Sequence, residues 1–283
     1  MALTDDELLR YARQILLPEI DIAGQERLQS AKVLIVGMGG LGNPVASLLA
    51  SAGIGRLTIV DGDVVDASNL ARQTLFTTSD VGQKKVDAAR HRIAAINPYV
   101  DVHAIAVYAD IDHLKKWVTD HDLVIDATDR FAVRDTINLA CWDAQKTWIM
   151  GAAAAWSGQT TTFDFAKLAS QYCNAPGATE STFEPDQAGK HHQVHHHGCY
   201  RCLYGESPDD RPGDCMRSGV IATATHLIAT LQANEAIRLL LGQSSTQNDR
   251  VKFIDLAQAS CREIKRRRDP FCAICSNDAT TAR

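Results

Sequence analysis

No long apolar run, basic excess or internal repeat marks this sequence of 283 residues. Its net charge is -5, so it lacks the positive footprint with which a nucleic-acid binder neutralises phosphates. The segment Met1-Ala-Leu-Thr-Asp-Asp-Glu7 has neither the basic nor the apolar stretch of a signal peptide. One of the longest apolar stretches, Val220–Leu231, is interrupted by threonine and histidine and is too short to span a bilayer. Neither nucleic acid nor a membrane is therefore an expected partner, and the cytoplasm is the expected location. Hydrophobic residues make up 45% and charged ones 22%, as in ordinary soluble proteins. The length suits one large α/β domain, or a domain with an appended lobe.

What is present begins with Val33-Leu34-Ile35-Val36, an apolar, mostly β-branched run that reads as a buried strand. Gly37-Met38-Gly39-Gly40-Leu41-Gly42 follows at once, and Pro44 stands where a helix can begin. A G-x-G-x-x-G turn between strand and helix lets backbone approach a phosphate closely, and the helix N-terminus supplies N–H donors. Around it the pattern predicts helices within 4–29, broken at Pro18, then a helix over 44–52 and a strand over 56–60. A helix over 83–96, a strand near 100–107, a helix over 111–119, a strand over 122–126 and a helix over 133–144 follow. Alternating strands and helices with continuous apolar strands predict a Rossmann-like, doubly wound, mostly parallel sheet. Beyond Trp148 the character changes. Residues 158–165 alternate like an antiparallel strand, 217–241 reads as a long helix, and 251–256 as a short strand. A division into 1–150 and 151–283, within one continuous domain, is the expectation.

Asp61 ends the second strand about twenty residues past the glycines, where a ribose-binding carboxylate belongs. Asn69, Arg72, Gln73, Lys84 and Lys85 then add an amide pair, a guanidinium and amines beside the same edge. Such cations suit a triphosphate; read alone, they also suit a solvated basic face. Asp126 and Asp129 close the next strand, where two carboxylates can hold Mg²⁺ or one can cap the helix that follows. Of the eight cysteines, four form the pairs Cys199-x-x-Cys202 and Cys272-x-x-Cys275. Two such hooks make a closed tetrahedral zinc site or two redox dithiols. Cys215 lies just before the long helix with Arg211 and Arg217 near it in sequence, a setting that lowers a thiol pKa. Cys141, Cys173 and Cys261 read as structural or incidental.

Taken jointly, Arg10-Tyr11-x-Arg13-Gln14, Gly37–Gly42, Asp61, Ser68-Asn69-x-x-Arg72-Gln73, Lys85, Asn97-Pro98 and Asp126-x-Thr128-Asp129 resemble the bacterial E1-like MoeB/ThiF family. The resemblance runs from about residue 7 to 276, in the family's order. It implies an adenylyltransferase that uses ATP and Mg²⁺ to activate the C-terminal Gly-Gly carboxylate of a ubiquitin-like sulfur carrier protein. It further implies that Gly37, Gly39, Gly40 and Gly42 cradle the phosphates and that Asp61 binds the ribose. Asn69, Arg72, Gln73 and Lys85 then hold the phosphates and Asp129 the Mg²⁺. Arg13 would reach the partner subunit's site in a homodimer. The four paired cysteines would hold a structural Zn²⁺ that pins the tail, and Cys215 would correspond to the thiol that receives the acyl group or sulfur in the thiamine branch.

Two segments depart from that pattern. Residues 166–198 are longer than the family's loop and carry His191, His192, His195, His196 and His197, which reads as a surface insertion with adventitious metal binding. The stretch Ile221–His226 replaces a Gly/Pro-rich one, which bears on sulfur transfer more than on adenylation. The local motifs lean toward the molybdopterin branch, with the thiamine branch as alternative. No rhodanese domain follows Cys275, so a separate sulfur donor is expected. An NAD-dependent oxidoreductase and a zinc-containing binding protein are the competing classes.

Overall fold

In the computed structural model, residues 2–166, 197–206 and 219–276 are described. Eight strands form one sheet in the order β3-β2-β1-β4-β5-β6-β7-β8. These are β1 Lys32–Val36, β2 Arg56–Val60, β3 Asp101–Ile105, β4 Leu123–Asp126, β5 Trp148–Ala154, β6 Ser157–Phe163, β7 Arg250–Asp255 and β8 Ser260–Lys265. Strands β1 to β5 pair in parallel, and β5 to β8 pair antiparallel. The expected doubly wound sheet with an antiparallel extension is what forms, and it passes unbroken across residue 150 within β5.

Both faces of the parallel half are covered. Val33, Ile35, Leu57, Ile59 and Ile125 join one buried cluster, while Leu34, Val36, Val60 and Val124 join the other. That two-sided burial is why these strands read as continuous apolar runs. The helices are α1 Asp5–Ile15, α2 Asp21–Ser30, α3 Gly42–Ala52, α4 Lys85–Ile96, α5 Ile111–Thr119, α6 Phe131–Asp143, α7 Tyr200–Tyr204 and α8 Ala222–Leu240. Helix α3 begins two residues before Pro44, whose missing N–H falls in the first turn, where no intrahelical acceptor is needed. Helix α8 begins at Ala222, later than the sequence suggests, because Gly219 takes a left-handed φ of 62° and Val220 bridges Ala155. Among the described residues no helix is long and apolar enough to cross a membrane.

The motif around Arg10 is a fastening. Thr4 and Glu7 form a capping box that starts α1. Asn97 Nδ2 donates to Tyr11 Oη at 2.8 Å and to the Ala50 carbonyl at 2.7 Å, tying α1 to the ends of α3 and α4. At Gly53, φ +83°, a Cβ would come within 2.6 Å of the Tyr11 ring, so only glycine lets helix α3 stop there.

Two strands escape sequence reading. Strand β5, Trp-Ile-Met-Gly-Ala-Ala-Ala, carries small residues because α8 packs closely beneath it: a Cβ on Gly151 would lie 2.4 Å from Gln232 Cδ. Strand β8 is a mostly exposed, charged edge without an apolar face, the composition that discourages edge-to-edge pairing.

One buried titratable group lies at the opposite end of the sheet from the glycine turn. His121 Nδ1–H donates to the Trp117 carbonyl at 2.6 Å, and Nε2 accepts from Thr58 Oγ1 at 2.7 Å. Burial lowers its pKa below the usual 6.5. The unfolded chain therefore takes up a proton before the folded one, and stability present above 6.5 is lost as pH falls. The thermal midpoint is expected to drop between about pH 6.5 and pH 5 more steeply in the wild type than in His121→Gln; parallel profiles would contradict this.

Candidate active site and metal centre

The carboxyl ends of β1, β2, β3 and β4 open into a cleft of about 930 Å³. Gly37, φ +95°, turns the chain out of β1, and its N–H donates to the Val60 carbonyl at 2.8 Å. A Cβ at Gly42 would sit 1.9 Å from the Gly37 carbonyl oxygen, so that position requires glycine. At Gly39 the nearest atom to an added Cβ is Gln73 Nε2 at 3.9 Å, leaving the loop's outer surface open to the cleft. Asn43 fixes the loop from beneath, donating to the Met38 carbonyl and accepting from Leu75 N–H, each at 2.9 Å.

Asp61 is bound to the loop. Its Oδ2 accepts from Met38 N–H at 2.7 Å and its Oδ1 from Asp63 N–H at 2.8 Å. Burial raises its pKa, opposed by Lys85 and those two amides. Lys85 is nearly buried and donates to Asp63 Oδ2 at 2.8 Å, while Tyr108 donates to Asp63 Oδ1 at 2.5 Å. Burial pushes the Asp63 carboxyl up, but the bonds from Lys85 and Tyr108 outweigh it and hold it below the usual range. Arg72 lays its stem against Gly40, where a Cβ would lie 3.5 Å from Cδ, and donates from Nη1 to the Ser68 carbonyl at 3.2 Å. Asn69 Oδ1 accepts from Asp66 N–H at 3.3 Å. Gln73 is buried, and its Oε1 has no hydrogen-bond partner among the described residues. An orphaned buried oxygen beside an open glycine loop is what a site awaiting a polar ligand presents.

Asp126 and Asp129 have separate fates. Asp126 is fully buried, accepting from Thr128 N–H at 2.9 Å, Thr128 Oγ1 at 2.6 Å and Arg134 Nε at 3.0 Å. It therefore offers nothing to a metal, which corrects the two-carboxylate expectation. Neither aspartate caps α6, whose N-cap is Arg130 and which has no side-chain capping bond. Asp129 is exposed at the cleft, and one carboxylate with phosphate oxygens suffices for Mg²⁺. The residues brought together in one cleft are thus Gly37, Gly39, Gly40, Asp61, Asn69, Arg72, Gln73, Lys85 and Asp129. Arg13 is exposed in the last turn of α1 and does not line it. Cys215, Cys173, His191, His192, His195 and His196 lie outside the described residues.

The four paired cysteines converge. Their Sγ atoms all lie within 4.8 Å of one another. Cys199–Cys202 are 3.9 Å apart, Cys199–Cys272 3.6 Å and Cys202–Cys275 3.3 Å. These separations are too long for a disulfide. They approach the roughly 3.8 Å edge of a tetrahedron of thiolates about 2.3 Å from a zinc ion. The donor set fits a closed four-coordinate ion better than two dithiols. A bond from Cys199 to Cys202 pushes the Cys199 thiol up to about 12 and draws Cys202 down.

The surroundings carry positive charge. Arg266 is buried over the Phe163 ring at 4.1 Å and donates to the carbonyls of Gly198 at 3.3 Å, Thr162 at 2.8 Å and Asn248. Arg268 donates to the Cys275 carbonyl at 2.9 Å. Sequence reasoning missed Asp63, Tyr108, Arg134 and Arg266. Only Asp63 left a signal, the Asp-x-Asp at a strand end.

The ThiF family pattern matches residues 11–274. The molybdopterin-synthase adenylyltransferase of Escherichia coli is 38% identical over 276 residues, covering 96% of this chain and 98% of that protein. The sulfur carrier protein adenylyltransferase of Thermus thermophilus is 35% identical over 286 residues, covering 99% and 95%. The crystal structure of E. coli MccB with ATP superposes with a TM-score of 0.71 at 24% identity, covering 94% of this chain and 74% of that one; that likeness concerns the fold alone.

Removing the metal by chelation, or Cys272→Ser, is expected to lower the melting midpoint by more than about 5 °C. Metal-free protein that melts with the loaded protein would rule out a structural ion.

Proposed function

The chain belongs to the ThiF family, and from that premise we propose that it adenylates the C-terminal glycine carboxylate of a ubiquitin-like sulfur carrier at the expense of ATP. The observation that carries this reading is the convergence of Arg72, Lys85 and Asp129 on the open side of the glycine loop. A carboxylate oxygen of the carrier attacks the α-phosphorus. The bond to the bridging oxygen breaks, and pyrophosphate leaves with the electron pair. The product is the carrier acyl-adenylate. No general base is needed, because a C-terminal carboxylate is already ionised at neutral pH. The site's task is to align the two anions and offset their charge.

Gly39 and Gly40 offer open backbone to the phosphates. Arg72 and Lys85 balance the charge gathering on the α-phosphate and the leaving pyrophosphate. Asp63 holds Lys85 in place for that contact. Asp129 is the ligand for Mg²⁺, which when bound shields the phosphate oxygens. Arg13, remote from its own cleft, serves the site of a second subunit. Leu9, Leu16, Leu17 and Ile22 are exposed on the same N-terminal segment, as suits a homodimer contact. Zn²⁺ in the tetrathiolate is structural, since four protein ligands leave no open position.

The relatives' names favour a molybdopterin-type carrier, with a thiamine-type carrier as the second reading. Sulfur then comes from a separate donor, and Cys215 is required only if the acyl group is passed on to a thiol. An NAD oxidoreductase is disfavoured, because a pyrophosphate bridge needs no cluster like that of Arg72, Lys85 and Asp129.

The test is ATP–pyrophosphate exchange with each candidate carrier, the adenylate being identified by mass spectrometry. Arg72→Ala and Asp129→Ala are each expected to reduce exchange at least about 100-fold with folding intact. Cys215→Ala is expected to leave it unchanged. Wild-type rates in Arg72→Ala and Asp129→Ala would refute their roles.

A further inference from the structure

The rim of the cleft beside β3 carries an aromatic ring that phosphate chemistry leaves without a task. Tyr108 is 65% exposed, yet it is tied down. Its hydroxyl donates to Asp63 Oδ1 at 2.5 Å, and the other oxygen of that carboxylate takes Lys85 Nζ at 2.8 Å. The bond to Asp63 raises the Tyr108 pKa, so the donor keeps its proton. The ring rests against Gly62, where a Cβ would come within 2.7 Å of Cδ2 and 2.8 Å of Cε2 and Cγ. Any other residue at 62 would push the ring away. An exposed tyrosine held at its hydroxyl and across one ring face is costly in side-chain entropy.

Order along the sheet edge suggests the use. The glycine loop follows β1, Asp61 follows β2, and Tyr108 follows β3; these three strands are consecutive neighbours. Adjacent strands lie about 4.8 Å apart, so the edge offers stations for phosphate, ribose and base in turn. With phosphates at Gly39–Gly40 and ribose at Asp61, the base of the nucleotide falls over the third station.

We propose that Tyr108 is the stacking platform for the purine base of the nucleotide, oriented by its bond to Asp63. This rests on the nucleotide-site reading above. The ring supplies the stacking face, and the Asp63–Lys85 pair fixes its angle. The same carboxylate thereby links the base station to the phosphate-binding amine. Stacking on an aromatic side chain is sequence-tolerant in sign but stronger for the larger purine surface.

The test is calorimetric binding of α,β-methylene-ATP and the corresponding CTP analogue, without carrier, to wild type, Tyr108→Ala, Tyr108→Phe and Tyr108→Trp. Tyr108→Ala is expected to weaken the ATP analogue about 5- to 100-fold and to narrow its advantage over the CTP analogue. Tyr108→Phe and Tyr108→Trp, which keep a ring, are expected to stay within about 3-fold of wild type. Tyr108→Ala binding like wild type overturns the platform. Loss in Tyr108→Phe as large as in Tyr108→Ala, with unchanged melting, also overturns it, because a hydroxyl effect is then being read. A wild-type chain that binds neither analogue instead overturns the nucleotide site itself, which separates the two failures.

Discussion

Asp126 and Arg134 hold two charges in a place water does not reach. Their side chains are 0% and 5% exposed, and they meet at 3.0 Å. Two ions stripped of solvent at this depth are tolerated only when hydrogen bonds complete them. Here Thr128 gives Asp126 two bonds, and Arg134 Nη2 donates to the carbonyls of Thr128 and Gly151. The Asp126 carbonyl itself accepts from Gln232 on α8 at 2.7 Å. Burial favours a neutral carboxyl at Asp126, and the guanidinium favours an ionised one. One ion pair thus gathers β4, β5, α6 and α8, where the parallel half of the sheet meets the antiparallel half. Thr128 and Arg134 of this network also line the cleft.

Above that floor the glycine loop owes its shape to negative charge as well as to glycine. The carboxylate of Asp61, just past β2, grips the backbone at Met38, so the loop is formed before any nucleotide arrives. Preorganised amides and cations then meet phosphate without a reorganisation cost. In the same arrangement Asp63 bonds Lys85 directly, and the charge of Lys85 also opposes the effect of burial at Asp61.

Much of this was legible in the residues. Continuous apolar runs such as Val33–Val36 betrayed strands covered on both faces, and the two Cys-x-x-Cys hooks betrayed thiols that meet at one place. The spacing of Arg72, Lys85 and Asp129 pointed to one edge of the sheet, and they do share one cleft. Strand β5 was not legible, because its alanines answer to the closeness of α8 and not to any strand preference. Strand β8 was hidden by the charges that protect an edge. Asp126 looked like a ligand because pattern cannot tell a carboxylate facing solvent from one facing a guanidinium. Tyr108 carried no local mark, since its partner lies 45 positions away.

The guanidinium of Arg266 has a consequence for how the chain can change. It bonds the Thr162 carbonyl on β6 and the Gly198 carbonyl just before the first cysteine hook. The two banks of the histidine-bearing stretch are therefore moored to one side chain, with the thiol cluster close behind. Doubling the length of a closed loop costs only about 0.6 kcal/mol. Insertions and deletions between those moorings can accumulate at little thermodynamic penalty. Divergence in this protein has a permitted address.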